Sequence, residues 1–411
     1  RHINFDAKTG FSLHGRSVKL KGVNGHDDFA GVGVALTKSI MEFKLDKLIE
    51  MGINAYRCSH NPPDPKFLDL CDEKGILVME ENRLPGVSDE AMNDFIHMLQ
   101  RDRNHPSVFC WSIANEEFGI QRSQPQVQVF KKLLTVGKLY DDTRPFLYAS
   151  NKEFDLNTEY DSENGLDYNP VGFNYFGQYK DDILTRVHER HPDWCLINTE
   201  AGSSCSSRAF SIPGDIEGVK DVKGEEEART GATGLSAAGS LRAVWNMEEF
   251  KNKITCYGST HPVWGTTPEI SWKAHVDRPY SAGIFLWTGF DYRGEVFPFD
   301  YPATISFYGI IDLCGFPKDW FYYMKSWWKD EPVLHLLPHW NMDVPQGTKT
   351  RVWAFTNCEQ VKVFVNGISI GRKNCQRNGH VEWDTVYEKG CIEAVGYKAG
   401  QEIIRDRKVT A

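Results

Sequence analysis

Eight strand-like apolar runs, the helical segments between them and a change of texture near residue 333 predict an α/β protein. The prediction is a parallel (β/α)8 TIM barrel over residues 1–332, followed by a small immunoglobulin-like antiparallel β-sandwich over 333–411. The first five runs are "SVKLKGVN" (17–24), "INAYRCS" (53–59), "ILVMEE" (76–81), "SVFCWSIANEE" (107–117) and "PFLYAS" (145–150). "VGFNYF" (171–176), "CLINTE" (195–200) and "AGIFLWTGFD" (282–291) complete the set. Near-continuous apolar strands suit a sheet covered on both faces. Residues 1–16 read as a lead-in strand or hairpin.

Between the runs lie helices. "TKSIMEFKLDKLIEMG" (37–52) places apolar residues three and four apart, with Gly52 as its stop. "SDEAMNDFIHMLQRDRNHP" (88–106) opens on an N-cap serine and early acids, and ends before Pro106. Residues 201–260 are long, polar and glycine-rich and read as a wall or lid of a cleft. Their acid run "KGEEEAR" (223–229) reads as a solvated face. Past 333, "TRVWAFTN" and "QVKVFVNGISIGRK" alternate apolar and polar residues, and Asn366-Gly367 marks a hairpin turn.

Composition excludes some partners. A net charge of −9 without any Lys/Arg-rich block argues against nucleic acid. No apolar run is long enough to span a bilayer as a helix. The ten cysteines form no Cys-x-x-Cys pair; Cys110 and Cys195 read as small buried hydrophobes, and reduced thiols suit a cytoplasmic or similarly non-oxidising setting. The chain opens on Arg1, so the compartment stays open: periplasmic or secreted if preceding residues carry a signal. Homo-oligomerisation also stays open. Twelve tryptophans, sixteen tyrosines and twenty-four phenylalanines suit sugar faces as well as cores.

The strands end on ionisable or polar groups. Glu116, Glu200, His26, His60, Tyr175 and Trp287 all fall at or near C-terminal strand ends, where a barrel opens its active site. Two carboxylates there meet the needs of glycoside hydrolysis, one protonated to help the leaving oxygen and one ionised. "HDD" (26–28) puts one histidine and two acids on adjacent residues that cannot all face one ion. No metal and no cofactor is assigned. Glu80, Glu81 and Asp291 read as structural acids paired with arginines, and Glu117 as pointing away from Glu116 by strand alternation.

At "LKGVNGHDD", "NAYRCSHNPPDPKFLDLCDEKGILVMEE", "RDRNHPSVFCWSIANEE", "NTEAGSSCSSR" and "GIFLWTGFDYRGE" the chain resembles glycoside hydrolase family 2. The resemblance runs over about residues 10–330, and the tail resembles the β-sandwich module that follows the barrel in β-galactosidase-like members. It implies a retaining exo-β-glycosidase acting on terminal β-galactosides, with an oligosaccharide or glycoside as substrate. Glu200 would be the nucleophile and Glu116 the acid/base. Asn115 would bond the 2-hydroxyl, Tyr175 would hold the nucleophile, and His26 and His60 would contact the sugar. Trp287 would form the cleft floor and Arg57 would support the nucleophile.

The family's glucuronidases use an Asn-x-Lys pair for the uronate, and no Asn-x-Lys occurs in these 411 residues. β-Glucuronidase, β-galacturonidase, another neutral-sugar β-glycosidase such as β-mannosidase, and a non-catalytic carbohydrate-binding fragment remain the alternatives. The resemblance further implies a sugar-binding β-domain and an immunoglobulin-like domain ahead of the barrel, so these residues read as a fragment or a short form.

Overall fold

The structure, a computed structural model, describes residues 2–82, 84–117, 124–151, 169–175, 183–211, 254–258, 260–262, 264–299 and 301–411. Eight parallel strands close into a barrel: β4 (Leu20–Gly25), β5 (Ala55–Cys58), β6 (Leu77–Glu81), β7 (Val108–Asn115), β8 (Phe146–Ser150), β9 (Val171–Asn174), β10 (Leu196–Gly202) and β11 (Ser281–Trp287). Each falls on one of the eight apolar runs. The seam closes in parallel between β11 and β4, where Gly283 pairs with Leu20. Every residue of β5, β6, β7, β8, β10 and β11 is buried, which is why these runs lack alternation. Cys110 and Cys195 are wholly buried in the barrel core, as the apolar runs around them imply.

The helices obey their end signals. Helix Lys38–Met51 stops at Gly52, whose φ is 109°. Helix Asp89–Asp102 is capped by Ser88, whose side chain accepts from the Ala91 N–H. Helix Pro65–Lys74 starts with Asp64 as cap and Pro65 in its first turn, and ends at left-handed Gly75.

At the N-terminal end of the barrel, β1 (Ile3–Asp6), β2 (Gly10–Leu13) and β3 (Arg16–Ser17) form an antiparallel sheet. Phe5 and Phe11 sit 5.0 Å apart, and Phe11 meets Phe109 near the start of β7 at 5.6 Å. These rings close the barrel floor with hydrocarbon. The C-terminal end is left to polar groups.

After β11 come the short pair β12 (Tyr292–Arg293) and β13 (Ile305–Ser306), then helix Asp319–Trp328. Two antiparallel sheets follow. One is β14 (Leu334–Leu337), β15 (Lys349–Thr356) and β18 (Val381–Val386); the other is β17 (Ile368–Asn374), β16 (Gln360–Val365), β19 (Cys391–Lys398) and β20 (Gln401–Val409). Their inner faces share a core of Trp340, Val352, Val363, Trp383 and Tyr387. Asn366 and Gly367 take φ of 48° and 81°, the pair of positive values that a two-residue hairpin turn requires.

Described residues fall into two compact units. The first is drawn from 1–49, 53–202 and 270–289, and the second from 50–52, 203–269 and 290–411. Of the polar segment read as a wall or lid, residues 212–253 lie outside the described residues.

Candidate active site

Arg57, on β5, is the hub of the barrel mouth. It is completely buried, so each of its five N–H donors needs an acceptor. Nε and Nη2 both reach Glu81 Oε2, at 3.0 and 2.5 Å. Nη1 donates to Glu200 Oε1 at 2.7 Å and to Asn24 Oδ1 at 2.9 Å, with the Thr199 carbonyl at 3.2 Å. Nη2 also reaches Asn115 Oδ1 at 2.8 Å. Burial alone would push the guanidinium down, but Glu81 and Glu200 hold it well above its ordinary value.

Glu200 lies on β10 and receives a second donor, the Tyr175 phenol, at 2.5 Å from Oε2. Tyr175 follows β9 with φ of 59°, a backbone turn that takes it out of the strand direction. Glu116 sits one residue beyond β7 with φ of 49°, and its N–H donates to the Ala149 carbonyl. The chain has therefore left the strand before Glu117. Strand alternation does not set where Glu117 points; the end of β7 at Asn115 does.

Asn174 joins the two acids. Its Nδ2 donates to Glu116 Oε1 at 2.8 Å and to Asn115 Oδ1 at 3.0 Å, while its Oδ1 accepts from the Thr199 hydroxyl at 2.6 Å. A continuous chain of hydrogen bonds thus runs from Glu200 through Arg57, Asn115 and Asn174 to Glu116.

The other side of the mouth is aromatic. His60 lies over Trp287 with ring centroids 5.2 Å apart and planes at 23°, and His26 meets both rings edge-on at 5.9 and 5.3 Å. His60 Nδ1 bonds Glu81 Oε1 at 2.6 Å, and its Nε2 stands 3.8 Å from Glu200 Oε1. Burial drives His26 well below its ordinary value, with the neighbouring Lys44 and Arg57 cations adding to the effect. It is a neutral ring at physiological pH. Among the described residues, no three His, Cys, Asp or Glu side chains cluster with metal-binding geometry.

All eight residues singled out from the sequence therefore converge on one mouth, carried by β4, β5, β7, β9, β10 and β11 or the residues just beyond them. Four residues of the network were not singled out: Asn24, Asn174, Thr199 and Ser112, the last donating to Glu81 Oε2 at 2.7 Å. Asn174 carried one signal, a polar residue directly before Tyr175 at the end of an apolar run. Glu81 pairs with an arginine as expected, but inside the site. Asp291 does not; its partner is Lys318, at 2.7 Å.

Residues 7–96 and 85–194 match the family model described as glycosyl hydrolases family 2, TIM barrel domain. Residues 347–404 match a domain of unknown function, DUF4982. A β-galactosidase of Bacteroides ovatus is 34 % identical over the whole chain, which covers 50 % of that protein. A putative β-glucuronidase of Formosa agariphila is 31 % identical, again over the whole chain and 39 % of its own length. The crystal structure of a β-glycosidase from Bacteroides vulgatus superposes with a TM-score of 0.79 at 28 % identity, covering all of this chain and 52 % of that one. The chain thus spans about half the length, or less, of the curated relatives it matches.

Proposed function

The chain belongs to glycoside hydrolase family 2, and from that membership and the mouth geometry we propose that it hydrolyses terminal β-galactosides with retention of configuration. Glu200 is the nucleophile and Glu116 the acid/base. The observation that carries the assignment is the asymmetry of the two carboxyls. Arg57 donates to one oxygen of Glu200 and Tyr175 to the other, which fixes and aims the carboxyl. Glu116 stands in the same hydrogen-bonded network without contact to that cation.

In the first step a Glu200 oxygen attacks the anomeric carbon while Glu116 gives its proton to the departing glycosidic oxygen. The resulting ester has no net charge on Glu200. Arg57 stays neutralised by Glu81, so the site does not acquire an unbalanced buried cation. Glu116, now ionised, takes a proton from water, which attacks the same carbon and frees Glu200. Asn115 bonds the 2-hydroxyl, and His26, His60 and Trp287 line the sugar pocket.

Replacing Glu200 by alanine is expected to abolish turnover of aryl β-galactosides, with azide restoring part of it by attacking from the vacated nucleophile side to give the inverted α-galactosyl azide. Full activity in E200A without azide would overturn the assignment.

A second reading, β-glucuronidase, is favoured by the name of the Formosa relative. A uronate needs a cation near C6, and Arg57 is already committed to two carboxylates. The missing Asn-x-Lys points the same way. A panel of nitrophenyl glycosides decides: higher kcat/KM on the glucuronide than on the galactoside would replace the first reading with the second.

A further inference from the structure

We infer that Asn174 is a positioning residue that holds both the proton of Glu116 and the amide face of Asn115 in register for the transition state. The inference deepens the proposed reaction and rests on the assignment of Glu116 as acid/base.

The orientation of each amide follows from donors that cannot act otherwise. Arg57 has no acceptor, so the Asn115 atom 2.8 Å from its Nη2 must be the oxygen. The Asn174 atom 3.0 Å from that same oxygen must then be a donor, its NH2. An NH2 has two hydrogens, and the second goes to Glu116 Oε1 at 2.8 Å. The remaining Asn174 oxygen accepts from Thr199, whose hydroxyl also lies 3.0 Å from the Phe173 carbonyl.

Two consequences follow. With Asn115 Oδ1 taken by two donors, its NH2 is the face left for a substrate hydroxyl. With Glu116 Oε1 accepting from Asn174, the acidic proton is carried by Oε2. One side chain therefore fixes which oxygen of the acid is protonic and which end of the neighbouring amide meets the sugar. Because the Asn174 N–H favours ionised Glu116 over the neutral acid, its removal raises the pH at which Glu116 gives up its proton.

The test compares the full chain with Asn174→Ala on two substrates, phenyl β-galactoside, whose leaving group needs protonation, and 2,4-dinitrophenyl β-galactoside, whose leaving group does not. The expected result is a ~100-fold loss of kcat/KM on the phenyl substrate, within the range that general acid catalysis supplies. On the dinitrophenyl substrate the loss should be at least tenfold smaller. The alkaline limb of the pH profile should move to higher pH. Equal losses on both substrates with an unmoved limb would reduce Asn174 to a structural role and overturn the inference.

Thr199→Val removes the hydroxyl that sets the Asn174 amide and should reproduce both effects in weaker form, while Thr199→Ser keeps it and should behave as wild type. This pair keeps the question answerable if Asn174→Ala does not fold, and wild-type behaviour in Thr199→Val would then overturn the inference. Labelling by a 2-deoxy-2-fluoro-β-galactosyl fluoride separates the two levels of argument. A wild type labelled elsewhere than Glu200 defeats the proposed function itself; correct labelling with an unmoved limb and equal losses defeats only the role of Asn174.

Discussion

Glu80 and Glu81 are neighbours on one strand, both fully buried, yet the regions they face push their carboxyl pKa values in opposite directions. Strand alternation sends Glu81 to the barrel mouth and Glu80 to the outer face against Asp102. Burial pushes Glu81 upward, but Arg57, His60 and Ser112 outweigh it and bring the carboxyl down to about 2. Burial also pushes Glu80 upward, and there the adjacent Asp102 carboxylate adds to the push, so Glu80 rises well above the usual carboxylate range. Arg101 commits three close contacts of 2.6–2.9 Å to Asp102 and lies 3.8 Å from Glu80. The difference teaches that burial alone does not fix ionisation. The supply of donors does.

The largest break in this contrast comes from the mouth. Arg57→Met leaves Glu81 and Glu200 facing each other in the interior without their shared cation. We expect a loss of ~3–5 kcal/mol in stability, the usual result of removing one partner of a buried ion pair. Activity should fall more than ~1,000-fold, beyond what one misplaced hydrogen bond removes. Urea denaturation and kcat/KM on nitrophenyl galactoside check both. A stable, active Arg57→Met would mean that the two carboxylates share a proton rather than a cation.

A smaller effect isolates Glu81. Its lowered value means that its contribution is fully present above pH ~4.5 and is lost as pH falls toward 2. The displacement corresponds to about 3 kcal/mol at neutral pH. Glu81→Gln should therefore unfold at lower urea than wild type at pH 7, and the two midpoints should converge near the acid end. Parallel curves across that range would show that Glu81 is not the group being titrated.

Much of this arrangement was legible in the sequence, for physical reasons that also mark its limits. All eight barrel strands could be read because a strand covered on both faces must be apolar throughout. Glu116 and Glu200 could be placed at the barrel mouth because each closes such an apolar run. Asn174 could not, because its importance lies in three hydrogen bonds to residues 25 to 59 positions away. Strand alternation worked for Glu80 and Glu81, which lie within β6. It does not apply at Glu117, because β7 ends at Asn115 and Glu116 turns out with positive φ. Asp291 was assigned an arginine and has Lys318, since charge pairing across a fold follows proximity that spacing does not encode.

The smallest effect belongs to the outer face. A raised value means that Glu80 stays protonated in the folded state after its unfolded counterpart has ionised. Its burial therefore costs nothing below pH ~4.5 and costs progressively more as pH rises toward its folded value. Glu80→Gln keeps a neutral side chain beside Asp102 and removes the ionisation available to the unfolded chain. The variant should match wild type at pH 4 and unfold at equal or higher urea at pH 8, by on the order of 1 kcal/mol, the scale of one hydrogen bond. Its kcat/KM should stay within about twofold, because Glu80 faces away from the mouth. If Glu80→Gln were instead the less stable protein at pH 8, Glu80 would be ionised and held by Arg101. The two neighbours would then differ only in which arginine they use.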